Sequence, residues 1–437
     1  MDMQEKYRQQ LDISYSYHLA KRMEKHRTNE ELGYRTAGSK AELATGEMLE
    51  QEMHTIGFPI IHKDAITVDA WEFERAKMTF LNEKGEEETI QLGAYQTNFV
   101  TDGPECYSVV YAGRGTLQDY EGMDVTGKLV LVDINQRDEW WINYPVYQAH
   151  LKGAAAVIAA QTGGYGEVDE RALNAQDIAG PSNAPAFSIA RHDADQLKKM
   201  LQGRSEVKVL FDASTKVIPA QTTYNIVGEI PGKTHPERRI MLSAHYDSYF
   251  DGFQDDNTAI SMMLSMGKTL LEIGYQPENT LMFCCMASEE WGVADSQFDW
   301  STGAYEQVFT AHPEWRGSVI ADLNFELPAL AHGTRARIRS TFEYVSFLEE
   351  FLEAFALQGA VPTGNLSRHE AAAKQRLTRL FRAFGLNIAG ERHAFVIDRP
   401  VGIRMFLVRH EYPFSIFVRQ GLPPRRYGVG GPEKRIG

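Results

Sequence analysis

Three short clusters of histidine and acidic residues have the types and spacing to bind metal and do hydrolytic chemistry. They are His245-Tyr246-Asp247, Asp255-Asp256-Asn257 and Glu289-Glu290. The first follows the apolar run 240–244, and the third follows the apolar run 281–287. Zinc takes imidazole nitrogen and carboxylate oxygen as ligands, and a catalytic zinc keeps one position for water. These residue types, in this order, predict a two-metal hydrolase site.

The placement of each cluster suggests a division of roles. In open α/β sheets a site lies outside the carboxyl ends of the strands, where His245, Glu289 and Glu290 are predicted to fall. Asp255 precedes a predicted helix, where the helix dipole favours a carboxylate, and it is a candidate bridge between two metals about 3.5–4 Å apart. Asp247 lies on the same strand face as His245 and is placed to orient it. Because neighbouring side chains of Glu289-Glu290 point different ways, one can bind metal while the other acts as general base.

Each cluster taken alone has an ordinary structural explanation. An isolated His-x-Asp is usually a surface pair, an isolated Glu-Glu is usually a solvated helix start, and Asp-Asp-Asn is usually a helix cap. The three occur here in one order, each at a predicted strand end or helix start. That combination favours a metal site over three unrelated surface features.

The elements that must position these clusters follow an α/β pattern. From Asn225 onward, apolar strands alternate with helices, including a helix from Thr258 to about Ile273. This alternation predicts a three-layer α/β/α domain with a mainly parallel sheet. Residues 1 to about 70 are predicted to be helical, with a capping box that begins at Ser39 and a stop at Gly57. Residues from about 72 to 215 are predicted to form short strands and turns, and we assign no chemistry to them.

The composition excludes several classes of function. The chain has 437 residues, 43% hydrophobic and 24% charged, with a net charge of -14. That charge argues against nucleic acid as a partner, since phosphates would be repelled. Three cysteines form no disulfide framework, which suits a reducing compartment. With no apolar signal segment at the start and no stretch of roughly 20 apolar residues, we expect a cytoplasmic protein without a membrane span.

These motifs resemble the di-zinc aminopeptidase family that includes aminopeptidase S, glutamate carboxypeptidase and the transferrin receptor. The stretches that carry the resemblance are 35–39, 225–232, 244–248, 255–259 and 288–292, and the similarity extends from residue 30 to about 355. The middle block resembles a protease-associated domain at 125–132, 153–157 and 185–188. The resemblance implies a zinc-peptidase domain of residues 1–71 and 216–437 with a β-rich insert at 72–215. In the family, such an insert often lies over the active site and contributes to substrate selection.

The resemblance also implies roles for the site residues and a cofactor of two zinc ions. His245 would bind one zinc, Asp255 would bridge, Glu290 would bind the second zinc, Glu289 would be the general base, and Asp247 would support His245. The family's next ligand is an Asp two residues after an Asn at a strand end. This sequence has Asn324-Phe325-Glu326 at that place. Glu326 is therefore the preferred ligand, and Asp322, on the same strand face, is the alternative.

The carboxyl-terminal part departs from the family pattern. The family's last zinc ligand is a His near the end of the chain, and neither His393 nor His410 has the expected neighbours, although His410 is the better candidate. The composition also shifts after about Glu391. A reading-frame shift in the gene would explain the shift, since codons exist for 421–427 whose +1 frame reads Asp-Phe-His-His-Ala-Asp. Sequencing the gene and its relatives tests this hypothesis. Loss of the His would weaken metal binding and impair activity.

We therefore expect a zinc-dependent exopeptidase that removes amino-terminal residues from peptides through a metal-bridged hydroxide with a Glu general base. One alternative is carboxypeptidase or amidohydrolase activity on the same metal pair. Another is a non-catalytic member of the family, which the missing His favours and the intact acidic clusters oppose. Ligand type alone permits cobalt or manganese in place of zinc. The sequence leaves side-chain specificity undetermined and leaves a homodimer open.

Overall fold

A computed structural model describes most of the amino-terminal three quarters of the chain. The described residues are 2–135, 143–163, 169–173, 182–294, 300–328, 338–340, 350 and 403–406. His393, His410 and the tail after about 391, apart from 403–406, lie outside these ranges. The predictions for the last zinc ligand and the reading frame therefore stay predictions.

The chain begins with helices, as expected. They are α1 Met3–Gln10, α2 Ile13–Met23 and α3 Lys40–Ile56. The side chain of Ser39 accepts a hydrogen bond from the backbone N–H of Glu42, and Gly57 ends α3 in the left-handed conformation with φ 92°. Both ends of α3 thus confirm the predicted cap and stop.

The helical prediction for residues 1 to about 70 is wrong at its end. Strand β1 begins at Ile60 and runs to Leu81. The segment 60–70 contains the β-branched residues Ile61, Ile66 and Val68, which favour a pleated, half-buried surface over a helix. Pairing with a second long strand then fixes the extended conformation.

The remaining elements alternate along the chain. The strands are β2 Glu87–Gln91, β3 Gly93–Ala94, β4 Phe99–Val100, β5 Glu105–Tyr111, β6 Leu129–Asn135, β7 Ala156–Gly163, β8 Ala186–Ile189, β9 Val207–Ile230, β10 His235–His245, β11 Asn279–Met286, β12 Val319–Asn324, β13 Ile338–Ser340 and β14 Ile403–Phe406. The helices are α4 Asn143–Leu151, α5 Arg191–Leu201, α6 Thr258–Glu272 and α7 Thr302–Glu306. The predicted helix at 258–273 is confirmed as α6.

The strands join one large mixed sheet. Its order is β13-β14-β12-β10-β11-β9-β5-β6-β7-β8-β3, with β1 paired to β2 and β9, and β4 paired to β9. Strand β10 is parallel to both β11 and β12, and β5 to β8 form a second parallel run. Antiparallel pairs flank β9. This topology confirms the predicted α/β class with a mostly parallel sheet.

Both faces of the β9–β11–β10 region are covered, which produces three layers. Alternate residues on a strand point to opposite faces. Ile226, Leu242 and Phe283 pack on one face with α2, α3 and α6. Val227 and Met282 pack on the other face with the segment that contains Trp315. Because both faces are buried, the strands have nearly continuous apolar sequences.

Strands β1 and β9 form a long antiparallel ribbon that links the two predicted domains. Trp71 pairs with Val217, and Phe73 pairs with Thr215. The predicted boundaries at 71/72 and 215/216 both fall inside this ribbon. The chain therefore passes from one part to the other within paired strands, with register shifts at 68–70 and 73–75. Among the described residues, none of the helices has the length and apolar character required to span a membrane.

Candidate metal centre

Parallel strands bring the three sequence clusters to one edge of the sheet. Strand β10 ends at His245, which pairs with Met286 at the end of β11. Strand β12 is parallel to β10 and ends at Asn324. Since parallel strands end on the same side of the sheet, the segments that follow β10, β11 and β12 lie side by side.

One histidine and two carboxylates converge at this edge. His245 Nε2 lies 3.0 Å from Asp255 Oδ1 and 3.7 Å from Glu326 Oε1. The three ligand atoms are all within 4.8 Å of one another, which makes a group able to hold a metal ion. His245 is 2% exposed and Glu326 is 9% exposed, while Asp255 is more open to solvent. A mostly buried imidazole–carboxylate set that stays open on one side matches the donor chemistry of catalytic zinc.

The charges at this edge also favour a cation. Burial lowers the pKa of His245, but its hydrogen bonds to Asp247, Asp255 and Glu326 outweigh burial and raise the pKa well above its ordinary value. Burial raises the pKa of both Asp255 and Asp256, and the carboxylate of Glu326 raises each further. One imidazole therefore faces an excess of carboxylates, an arrangement that a bound divalent cation would neutralise.

Asp247 does more than the orienting role that its spacing predicts. His245 Nδ1 donates to Asp247 Oδ1 over 3.2 Å, which leaves Nε2 to face Asp255. The backbone N–H of Glu289 donates to Asp247 Oδ1 at 2.9 Å, and that of Glu290 donates to Oδ2 at 3.0 Å. One buried carboxylate thus holds the imidazole and the segment after β11 together.

The structure places Glu289 and Glu290 beside this group but not within it. Ser301 Oγ donates to Glu289 Oε1 at 3.0 Å, and the Ser301 backbone N–H donates to the Glu289 carbonyl. In the described part of the chain, the group with converging ligand atoms consists of His245, Asp255 and Glu326. The predicted roles of Glu290 as second-metal ligand and Glu289 as base therefore stay predictions.

The two candidates after β12 lie in different surroundings. Glu326 points into the group with His245, as described above. Asp322 instead accepts a hydrogen bond from Ser243 Oγ at 2.8 Å, and burial raises the pKa of Asp322 to about 7. The geometry favours Glu326, the preferred residue of the sequence analysis, over Asp322 as the ligand.

A buried neighbour of the predicted ligands was missed by sequence reasoning. Asp256 is fully buried. Its Oδ2 accepts from the backbone N–H of His245 at 3.4 Å, and its Oδ1 accepts from that of Leu327 at 3.2 Å. Asp256 thereby ties the ends of β10 and β12 to Asp255. Its position next to Asp255 was the available signal, but an adjacent acidic residue more often caps a helix.

The fold and this histidine–carboxylate edge indicate a metallohydrolase of the α/β class. Comparisons with known protein families identify the class of hydrolase more closely. Residues 225–363 match the model of peptidase family M28, and residues 100–197 match that of the PA domain. These two matches support an M28-type peptidase with an inserted PA domain. Both parts of the predicted resemblance are thereby confirmed.

Curated relatives and solved structures agree with this assignment. Carboxypeptidase Q from Bos taurus is 23% identical over 282 residues, covering 61% of this chain and 58% of the relative. Carboxypeptidase Q from Homo sapiens is 21% identical over 290 residues, covering 60% and 56%. The matches thus span less than two thirds of these relatives.

The solved structures are similar in fold over most of the chain. BSAP, a zinc aminopeptidase from Bacillus subtilis, has a TM-score of 0.58 at 17% identity and covers 91% of this chain and 85% of its own. An M28 peptidase precursor from Shewanella amazonensis has a TM-score of 0.57 at 18% identity, with coverage of 93% and 87%. These likenesses show a shared fold.

Proposed function

We propose that this chain is a zinc-dependent exopeptidase that removes amino-terminal residues from peptides. The observation that carries the proposal is the convergence of His245, Asp255 and Glu326 at the carboxyl ends of parallel strands. Asp247 binds this group to the backbone of Glu289 and Glu290. The match to a peptidase family and the similarity to a zinc aminopeptidase support the same reaction class.

The group of His245, Asp255 and Glu326 supports one metal position, and a second position at Glu290 is part of the proposal. His245 and Glu326 would hold one zinc, Glu290 the second, and Asp255 would lie between them. When bound, zinc supplies a Lewis acid that polarises the scissile carbonyl and lowers the pKa of water. The carboxylates of Asp255 and Glu326 beside His245 would provide the negative charge that this cofactor requires.

Proton transfer is assigned to Glu289. Its Oε1 would take a proton from the attacking water and pass it to the leaving amine. The hydroxyl of Ser301 donates to this oxygen, and the backbone N–H of Glu289 donates to Asp247, so the residue is held at its carboxylate and at its backbone. A base fixed in this way loses little entropy when the reaction begins.

The variant Glu289→Gln tests the assignment of the base. We expect peptide hydrolysis to fall by about 10²–10⁴-fold, the usual contribution of a general base, while the variant still binds zinc. The exposed Glu87→Gln in β2 is the matched control and should retain full activity. Unchanged hydrolysis by Glu289→Gln would show that another group is the base.

Carboxypeptidase activity on the same metals is the second candidate, favoured by the similarity to carboxypeptidase Q. Two peptide series separate the two activities: one with the amino terminus acetylated and one with the carboxyl terminus amidated. We expect acetylation to block hydrolysis and amidation to leave it unchanged. The reverse pattern would assign the chain to carboxypeptidases. If the chain neither binds zinc nor hydrolyses either series, it is a non-catalytic member of the family.

A further inference from the structure

The guanidinium of Arg35 is buried beside the metal centre and joins two of its clusters. Arg35 is 1% exposed. Its Nε donates to the carbonyl of Tyr246, between His245 and Asp247, and one Nη donates to Asn257 Oδ1. The other Nη donates to the carbonyl of Met23 at the end of α2, at 2.9 Å. Arg35 thus fixes the segment after β10 relative to the start of α6.

The backbone around Arg35 reinforces this connection. The N–H of Arg35 donates to the carbonyl of Ser248 at 3.0 Å, and the N–H of Ser248 donates back to Arg35 at 2.9 Å. This two-way bridge holds the amino-terminal segment against the residues that follow Asp247. The side chain and the backbone of Arg35 therefore both form hydrogen bonds with the segment 246–248.

Glu42, on the first turn of α3, makes the equivalent connection to the third cluster. Its Oε1 accepts from the backbone N–H of Ser288 at 2.8 Å and from the Ser288 hydroxyl at 3.3 Å. Its Oε2 accepts from the N–H of Gly38 and the hydroxyl of Thr223, both at 2.6 Å. Ser288 directly precedes Glu289, so this carboxylate holds the segment that carries the predicted base.

The buried charges of this network depend on one another. Burial lowers the pKa of Arg35 to about 10, while the carboxylates of Asp247 and Glu42 act to raise it. Burial and the charge of Asp247 raise the pKa of Glu42 to about 8. Removing one partner from such a network leaves the others buried without compensation.

We propose that Arg35 and Glu42 are positioning residues that set the spacing of the metal ligands before the metal binds. This inference rests on the proposed function, because it needs a metal at the site. The third cluster is distant in sequence from the first two. The short segment 35–42 joins both of those clusters to Ser288, which directly precedes the third, through buried hydrogen bonds. A metal site needs its ligands held within about 0.5 Å of the productive geometry.

The variants Arg35→Lys and Glu42→Gln test this proposal. Lysine keeps the charge but lacks the fork of donors that reaches three acceptors. Glutamine places an amide NH₂ against a backbone N–H, since both carboxylate oxygens of Glu42 accept from one. We expect the zinc dissociation constant to rise by about 10- to 100-fold in each variant. Cobalt(II) added to the metal-free variants should give a visible absorption spectrum different from that of the unmodified chain, because the ligand geometry changes.

Matched controls separate positioning from general stability. Glu52→Gln alters a buried carboxylate on the same helix that bonds Tyr15 and Arg22 away from the site. Arg75→Lys alters a half-buried arginine that pairs with Asp212 in the insert. Both controls should lose stability to thermal unfolding and keep the zinc affinity and the cobalt spectrum of the unmodified chain.

The outcomes distinguish this proposal from the proposed function. Unchanged zinc affinity and cobalt spectrum in folded Arg35→Lys and Glu42→Gln overturn the positioning role. If these variants fail to fold, Thr223→Val, which removes a single donor to Glu42, should still weaken zinc binding, and an unchanged affinity overturns the role. Zinc binding without peptide hydrolysis by the unmodified chain overturns the proposed function alone. Absence of zinc binding by the unmodified chain overturns both.

Discussion

Replacing Asp247 by Asn should damage both the stability of the chain and its metal site. Asp247 is 1% exposed and accepts hydrogen bonds from His245 Nδ1 and from the backbone N–H groups of Glu289 and Glu290. The asparagine carbonyl oxygen can still accept hydrogen bonds from the donors on its side. The NH₂ group that replaces the other oxygen is itself a donor, so at least one N–H loses its acceptor. A buried donor left without a partner costs about 1–3 kcal/mol, and each lost bond to a charged acceptor weakens folding further.

The expected magnitude follows from this count of bonds. We expect Asp247→Asn to lower the free energy of unfolding of the metal-free chain by about 3 kcal/mol. The freed imidazole of His245 should weaken zinc binding by about 10- to 100-fold. Urea unfolding of the metal-free chain measures the first quantity, and zinc competition against a chromogenic chelator measures the second.

A control variant makes the result interpretable. Asp64 is a partly buried carboxylate that accepts from Gln307 Nε2 at 2.6 Å and pairs with His312 at 2.9 Å, outside the metal centre. Asp64→Asn should also lower stability but keep the zinc affinity of the unmodified chain. If Asp247→Asn binds zinc as tightly as Asp64→Asn does, Asp247 does not hold the ligand, and the reasoning is refuted.

Two further predictions concern the alternative ligand and the pH dependence of stability. Glu326→Gln should lower the zinc content of the chain, measured by mass spectrometry of bound metal, while Asp322→Asn should leave it unchanged. The reverse result would make Asp322 the ligand. The ionisable groups that face His312 are His62, Asp64 and Glu314. Burial lowers the pKa of His312, but Glu314 and Asp64 outweigh it and raise the pKa above its ordinary value. The charged form therefore stabilises the fold at low pH, and this contribution disappears as pH rises through the raised pKa. His312→Gln should destabilise the chain in urea more at about pH 5.5 than at about pH 9, where the loss of the stacking on Trp315 remains. Equal destabilisation at both would contradict the assignment.

Local sequence signals predicted much of the fold. The capping serine Ser39, the terminating Gly57 and the apolar runs that became β10, β11 and β12 were each readable from a few neighbouring residues. The segment 60–70 is included in the predicted helical region, although its β-branched residues favour a strand. Its identity depends on pairing with β9, a contact distant in sequence.

For the candidate site, too, local sequence predicted some residues, while others depend on contacts distant in sequence. His245 is predicted from the strand end that it follows, Asp255 from its place before a helix, and Glu326 from the family resemblance. The structure brings the three together. Arg35 lies in a stretch that carries the resemblance and Glu42 lies in the predicted capping box, but neither signal predicts burial beside the site. An arginine before a helix and a glutamate in its first turn are usually on the surface. Their burial results from the packing of α2 and α3 against the sheet. His410, a homodimer and a cytoplasmic location stay predictions.

The zinc content of the purified chain tests the central claim most directly. The chain should be dialysed against buffer without chelator and its metal measured by mass spectrometry, beside Asp255→Asn. About two zinc ions per chain, reduced in Asp255→Asn, are the result predicted for a bridging carboxylate between two metals. One zinc or none in the unmodified chain would contradict the two-metal site and, with it, the proposed peptidase mechanism.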